Sequence, residues 1–182
     1  LWDVDYDVSG KTITVKGATT SPEAKAALLS GLEEKAYEVK DSLQLVPDSA
    51  ALEGKMYGIV NLSVCNMRVE DDFSSEMTTQ ALMGMPVKVL QHRNWYRIQT
   101  PDNYIAWVHR VGIHPVTKAG LDAWNKADKI VVTSHYGFTY QQPDAKSQSV
   151  SDVVAGNRLK YEGKQGGFYK VSVSYTHLRA HE

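Results

Sequence analysis

Alternation of apolar and polar positions marks the start of the chain as a half-buried strand. Trp2, Val4, Tyr6 and Val8 fall on one side, and Asp3, Asp5 and Asp7 on the other. Ser9-Gly10-Lys11 supplies a turn and residues 12–16 alternate again, which predicts a hairpin. Ser21-Pro22-Glu23 combines an N-cap, a proline at the first helical position and an acidic first turn. From there to Ala36, residues Ala24, Ala27, Leu28 and Leu32 recur near helical spacing on one face. Strand character returns over 37–46, and Pro47-Asp48-Ser49 stops it. The expectation for 1–50 is a small α+β unit in the order ββαβ, marginal in isolation at that size.

Over 57–113 the rhythm shortens. Residues 87–90, Trp95–Gln99 and 104–108 are each rich in β-branched or aromatic residues. They are separated by Arg93-Asn94 and Pro101-Asp102-Asn103, which are turn compositions. Short strands at tight spacing predict a small all-β barrel over 55–115. Strict alternation further predicts that one of Trp95 and Tyr96 is core and the other surface.

The last third restates this stretch. Aligning Gly84 with Gly156 sets Ala81-Leu82-Met83 over Val153-Val154-Ala155 and Val87-Lys88 over Leu159-Lys160. One residue of slippage then sets Trp95-Tyr96-Arg97-Ile98 over Phe168-Tyr169-Lys170-Val171. A period of about 70 residues suits tandem small domains rather than a solenoid. The second copy is expected over 129–173 and incomplete, because no closing aromatic strand follows Val173. Between the copies, over 116–128, Thr117 is an N-cap candidate, and Leu121 and Trp124 share a helix face. A short helix fixing the angle between the copies is expected there. The fold class is therefore α+β followed by all-β.

Composition narrows function mainly by exclusion. A net charge of −1 leaves no electrostatic footprint for nucleic acid or an anionic membrane. No apolar run approaches the roughly 20 residues of a membrane helix. The chain starts at Leu1, so any signal peptide is expected to lie outside this sequence. Cys65 is the single cysteine, and its setting in Leu62-Ser63-Val64-Cys65-Asn66 reads as strand. A catalytic thiolate needs a base and an electropositive, partly exposed setting, so Cys65 is assigned as an apolar filler. His92, His109, His114 and His135 lack ligand spacing. Glu70-Asp71-Asp72 reads as a solvated acidic loop, short of the oxygen ligands calcium requires. No catalytic residue, metal site or cofactor is assigned within the chain.

The order Asn66-Met67-Arg68, Thr79-Gln80-Ala81-Leu82-Met83-Gly84, Trp95-Tyr96, then Tyr104-Ile105-Ala106-Trp107-Val108 resembles a bacterial SH3-like domain. It is most similar to the first such domain of NlpC-type murein-peptide cysteine endopeptidases, the dipeptidyl-peptidase VI group. Residues 1–50, with Gly17 ending the second strand, resemble a BON-like domain of envelope proteins. The resemblance implies two tandem SH3-like barrels preceding a cysteine–histidine catalytic domain that this sequence does not contain. It implies cleavage between γ-D-glutamate and a diamino acid, in the bacterial envelope or periplasm. It also implies that a glutamate and a tyrosine bind the free amino terminus of a murein peptide. Glu76 and Tyr104 hold the matching positions, with Glu70 an alternative to Glu76. Asn103 and Ala106 stand where the family has glycines. The final residues, 174–182, resemble an adapter-derived translation, and no function is assigned to them. The spacing of His177 and His181 could place two ligands on one helix face, but no acidic partner accompanies them. A stand-alone SH3-like module, binding cell-wall peptide or protein without associated catalysis, is the competing expectation.

Overall fold

The computed structural model describes residues 1–173 and, as backbone, 177–181. Two compact units divide the chain, 1–48 and 49–182.

In the first unit, β1 (Trp2–Ser9) and β2 (Thr12–Thr19) pair antiparallel across a turn in which Gly10 takes φ 60°. Helix α1 (Pro22–Glu34) opens as its sequence dictates: the Ser21 hydroxyl accepts a hydrogen bond from the Ala24 amide at 3.1 Å. Strand β3 (Glu38–Leu45) then lies parallel to β2, with α1 as the crossover. Leu28, Leu29 and Leu32 of the helix pack on Ile13, Val15 and Leu43.

The second unit contains a seven-stranded and a six-stranded sheet. The first is built from β4 (Tyr57–Val60), β5 (Val64–Arg68), β6 (Met77–Leu82), β7 (Pro86–His92), β8 (Trp95–Gln99), β9 (Ile105–His109) and β10 (Ile113–Val116). Its spatial order is β10-β4-β7-β8-β9-β5-β6. Helix α2 (Lys118–Lys126) follows, capped by the Thr117 hydroxyl, which accepts from the Gly120 amide at 3.3 Å. The second sheet comprises β11 (Lys129–Val131), β12 (Tyr136–Tyr140), β13 (Ser149–Val154), β14 (Arg158–Gln165), β15 (Phe168–Ser172) and β16 (His177–His181). Its order, β11-β14-β15-β16-β12-β13, repeats that of β4-β7-β8-β9-β5-β6 position for position. The internal repeat read from the sequence is thus a repeat of topology.

The repeat differs from expectation at its end. The second copy does not stop at Val173: β16 lies between β15 and β12, where β9 lies between β8 and β5. Two open strand edges recruit a third strand through main-chain hydrogen bonds, so the position can be filled without the aromatic motif of β9. Residues 174–176 and 182 of the tail, and the side chains of His177 and His181 weighed as ligands, lie outside the described residues.

The interior of the first sheet is formed by Val60, Met67, Val89, Ile98 and Val108, with Cys65 among them. A second cluster is shared: Ile59 of β4 and Met83 of the turn after β6 pack with Trp124 of α2 and with Val153, Leu159 and Val171 of the second sheet. Leu121 joins it, so both apolar residues of the linker helix are used. At this junction the backbones nearly touch. The Arg158 amide donates to the Met83 carbonyl at 2.9 Å, and the fully buried Asn157 donates from Nδ2 to the Ser63 carbonyl at 2.8 Å. Gly84, at φ 82°, faces the Arg158 carbonyl so closely that a β-carbon there would sit 2.0 Å from its oxygen.

Asn157 therefore carries a specific expectation. Its Oδ1 also accepts from the Val154 amide at 2.9 Å, so Asn157→Ala strands that half-buried amide and leaves the Ser63 carbonyl with only the 3.4 Å bond from the Met83 amide. A loss of about 1–3 kcal/mol per stranded group is expected in urea unfolding. A variant as stable as the parent would show that the junction does not depend on this side chain.

Candidate functional site

The outer face of β8 and β9 is set by register. Trp95 pairs with His109, Arg97 with Trp107 and Gln99 with Ile105, so these six side chains share one face, while Tyr96, Ile98, Ala106 and Val108 turn inward. The hairpin loop between β5 and β6, residues 69–76, folds back over this face. Phe73 lies 4.8 Å from the Trp95 ring and 4.9 Å from His109, centroid to centroid. Trp95 is only 5% exposed as a result, and Tyr96 on the opposite face is 9% exposed. The expectation that one of this pair is a surface residue is thereby corrected. Alternation assigns faces, but whether an outer face sees solvent depends on a loop distant in sequence.

The loop is held by its own polar groups. The Val69 amide donates to the Glu76 carbonyl at 3.0 Å, closing the neck. The Glu70 amide donates to the Ser75 hydroxyl at 2.9 Å, and Arg68 donates to the Ser75 carbonyl at 2.5 Å. Asp72 accepts from both the hydroxyl and the amide of Ser74, and these bonds hold its carboxyl below the usual range. Asp71 lies 3.9 Å from Arg93, and the guanidiniums of Arg93 and Arg97 stand 5.4 and 5.3 Å from the Trp107 ring.

Glu76 and Glu70 are both exposed, on the two arms of this hairpin. Tyr104 immediately precedes β9 and is 42% exposed. Its carbonyl accepts from the Thr100 amide at 3.0 Å, and Asn103 before it takes φ 67°. That left-handed conformation explains why asparagine can stand where the family resemblance has glycine: asparagine tolerates it better than other side chains do. The Asn103 side chain also accepts from Gln99 at 3.2 Å. Ala106 is buried on the inner face, where a methyl is accommodated. Because Arg68 pairs antiparallel with Trp107, β5 leaves the sheet at the end where Tyr104 leads into β9. The neck of the hairpin that carries Glu70 and Glu76 thus starts toward the Tyr104 end of β9, while Phe73 in its loop reaches Trp95 and His109 at the other end. Beside Asn103 opens a cleft of about 230 Å³, lined by Tyr57, Lys88, Gln99, Pro101 and Leu121 among others. The sequence pattern does not single out Phe73 and Arg93; the available signal is an aromatic residue set inside an otherwise polar loop.

Residues 67–112 match the family model of the bacterial dipeptidyl-peptidase SH3 domain. The matched segment contains the hairpin, Tyr104 and both candidate glutamates. Among solved structures, the chain is similar to an NlpC/P60 family protein from Bacillus cereus ATCC 10987. The TM-score is 0.53 at 17% identity, over 68% of this chain and 53% of that one. It is also similar to an NlpC/P60 endopeptidase from Photobacterium damselae subsp. piscicida. There the TM-score is 0.52 at 14% identity, over 74% of this chain and 33% of that one. These likenesses establish a shared fold, and the chain spans about half and a third of the two proteins' lengths. No curated protein matches the chain in sequence.

Cys65 lies in β5, 2% exposed, with burial pushing its thiol up to about 11. The short 3-10 turn Arg110–Gly112 brings Gly112 so close that a β-carbon there would lie 2.4 Å from Sγ. A thiol so enclosed is no nucleophile at neutral pH. Among the histidines, His109 meets Phe73 in a tilted contact and His92 stacks on Tyr96 at 4.2 Å, while burial and then Lys55 hold His114 below the usual imidazole range. No cluster of three metal-ligating side chains occurs among the described residues.

The thiol generates a pH expectation. The unfolded thiol ionises near 9.0 and the folded one near 11, so unfolding is favoured as pH rises through that window and not below it. The parent should lose up to about 1.4 kcal/mol per pH unit relative to Cys65→Ala between these values. Urea unfolding at pH 8 and pH 10.5 reads the difference; parallel pH dependences of the two proteins would contradict the buried assignment.

Proposed function

We propose that this chain is the non-catalytic recognition part of a murein-peptide cysteine endopeptidase of the NlpC type. The cleavage, between γ-D-glutamate and a diamino acid, belongs in this reading to a cysteine–histidine domain elsewhere in the polypeptide. The carrying observation is the match of residues 67–112 to the dipeptidyl-peptidase SH3 domain, with Tyr104, Glu76 and Glu70 each exposed within the matched segment.

The proposed chemistry is simple. A carboxylate pairs with the ammonium of the L-alanine that begins the peptide, and charge assistance makes that bond shorter and stronger than a neutral one. The Tyr104 phenol adds a second bond and a wall. A peptide still joined to glycan has no free ammonium and leaves the carboxylate unmatched, so the site rejects it. Two tandem SH3-like barrels, the BON-like reading of the first unit and a place in the bacterial envelope or periplasm go with this proposal.

The chain by itself is expected to hydrolyse nothing. In the complete enzyme, Tyr104→Phe should raise KM for L-Ala-γ-D-Glu-diaminopimelate up to about tenfold, the loss of one hydrogen bond. Glu76→Gln should lower discrimination between that substrate and its N-acetylated form. Unchanged kinetics in Tyr104→Phe, or loss of discrimination on Glu70→Gln instead, would remove the corresponding residue from the site. Hydrolysis by the isolated chain would overturn the proposal outright.

A further inference from the structure

Strand β1 is the edge of the three-stranded sheet, and of the apolar side chains on its helix-facing side only Val4 packs against the core. Register puts Val8 beside Ile13, Tyr6 beside Val15 and Trp2 beside Thr19 on the face that α1 covers. Ile13, Val15 and Thr19 are buried there, whereas Trp2, Tyr6 and Val8 remain 52%, 64% and 58% exposed. The apolar face therefore continues one strand beyond its cover.

The strand's other face is acidic. Asp3, Asp5 and Asp7 project from it, and Lys16 of β2 lies across from Asp5 and forms an ion pair with Asp7. Natural edges are blunted by bulges, prolines, lysines or short length. Here β1 pairs with β2 over eight residues without a register shift and contains neither proline nor lysine. Its outward main-chain groups come from the apolar residues: the Tyr6 amide, turned away from β2, donates to its neighbour Asp5 at 2.8 Å. That local bond is one an incoming carbonyl can replace.

We infer that β1 is a docking edge for an extended peptide segment that alternates basic and apolar residues. Main-chain hydrogen bonds would add it as a fourth strand beside Val4, Tyr6 and Val8. Its apolar side chains would cover Tyr6 and Val8, and its lysines or arginines would stand opposite Asp3 and Asp5. Charge selects this occupant over a second copy of the chain. A two-fold β1–β1 pairing places Asp5 opposite Asp5 and Asp3 opposite Asp7, and like charges directly opposed are unfavourable.

The test is titration of the ¹⁵N-labelled 182-residue chain with an end-capped heptapeptide alternating lysine and valine. Its glutamate–valine counterpart is the control. The basic peptide should shift the amides of Val4, Tyr6 and Val8, with affinity falling several-fold as salt rises from low to about 0.5 M. The double variant Asp3→Asn/Asp5→Asn should bind about tenfold more weakly. Tyr6→Pro removes the outward amide at an edge position where proline is tolerated, and should abolish binding. Retained β2 and β3 amide shifts establish that each variant is folded. Equal binding of the acidic peptide, shifts confined to other elements, absence of binding at millimolar peptide, or concentration-dependent dimerisation through β1 would each overturn the inference.

Discussion

The close approach of Gly84 and Arg158 is the constraint on which the arrangement of residues 49–182 depends. A side chain at Gly84 would collide with the Arg158 carbonyl, and the contact is fixed by the Arg158–Met83 and Asn157–Ser63 hydrogen bonds. Gly156, at φ 90°, lies on the other side of the same junction, facing Leu82. The two glycines that reveal the repeat in the sequence therefore both lie at this junction. Around them Ile59, Met83, Trp124 and Leu159 form one apolar cluster, so the two sheets share a core.

Local features are legible because their causes are local. The caps at Ser21 and Thr117, the turn at Gly10 and the strand Trp95–Gln99 follow from residue types at short spacing. What the residues do not disclose is non-local. Nothing near Trp95 announces that Phe73 will close over it, and nothing in the tail announces a strand between β15 and β12. The candidate site shows the same division. Tyr104 and Glu76 rest on family resemblance, and in the folded chain both are exposed. Phe73 reaches Trp95 through folding of the 69–76 loop, whereas Arg97 stands by Trp107 through strand pairing and Arg93 reaches the same ring from the β7–β8 turn.

A near-neutral chain conceals strong local charge. Carboxylates concentrate at the 69–76 hairpin and, in the other unit, along β1, while guanidiniums sit on the aromatic face of β8 and β9. Such separation suits selection of small charged groups better than tight binding of large surfaces. Under the proposed function, recognition and chemistry belong to different parts of the polypeptide, and residues 49–182 supply the recognition.

The most direct test is where the peptide's amino terminus rests. Intermolecular nuclear Overhauser effects can be recorded between this chain and isotopically labelled L-Ala-γ-D-Glu-diaminopimelate. Contacts are predicted from the alanine methyl group to the Tyr104 ring, with the β5–β6 hairpin amides shifting in parallel. Contacts of that methyl group with any other surface, the exposed Tyr136 and Phe138 rings of β12 included, with Tyr104 unperturbed, would contradict the proposed recognition site.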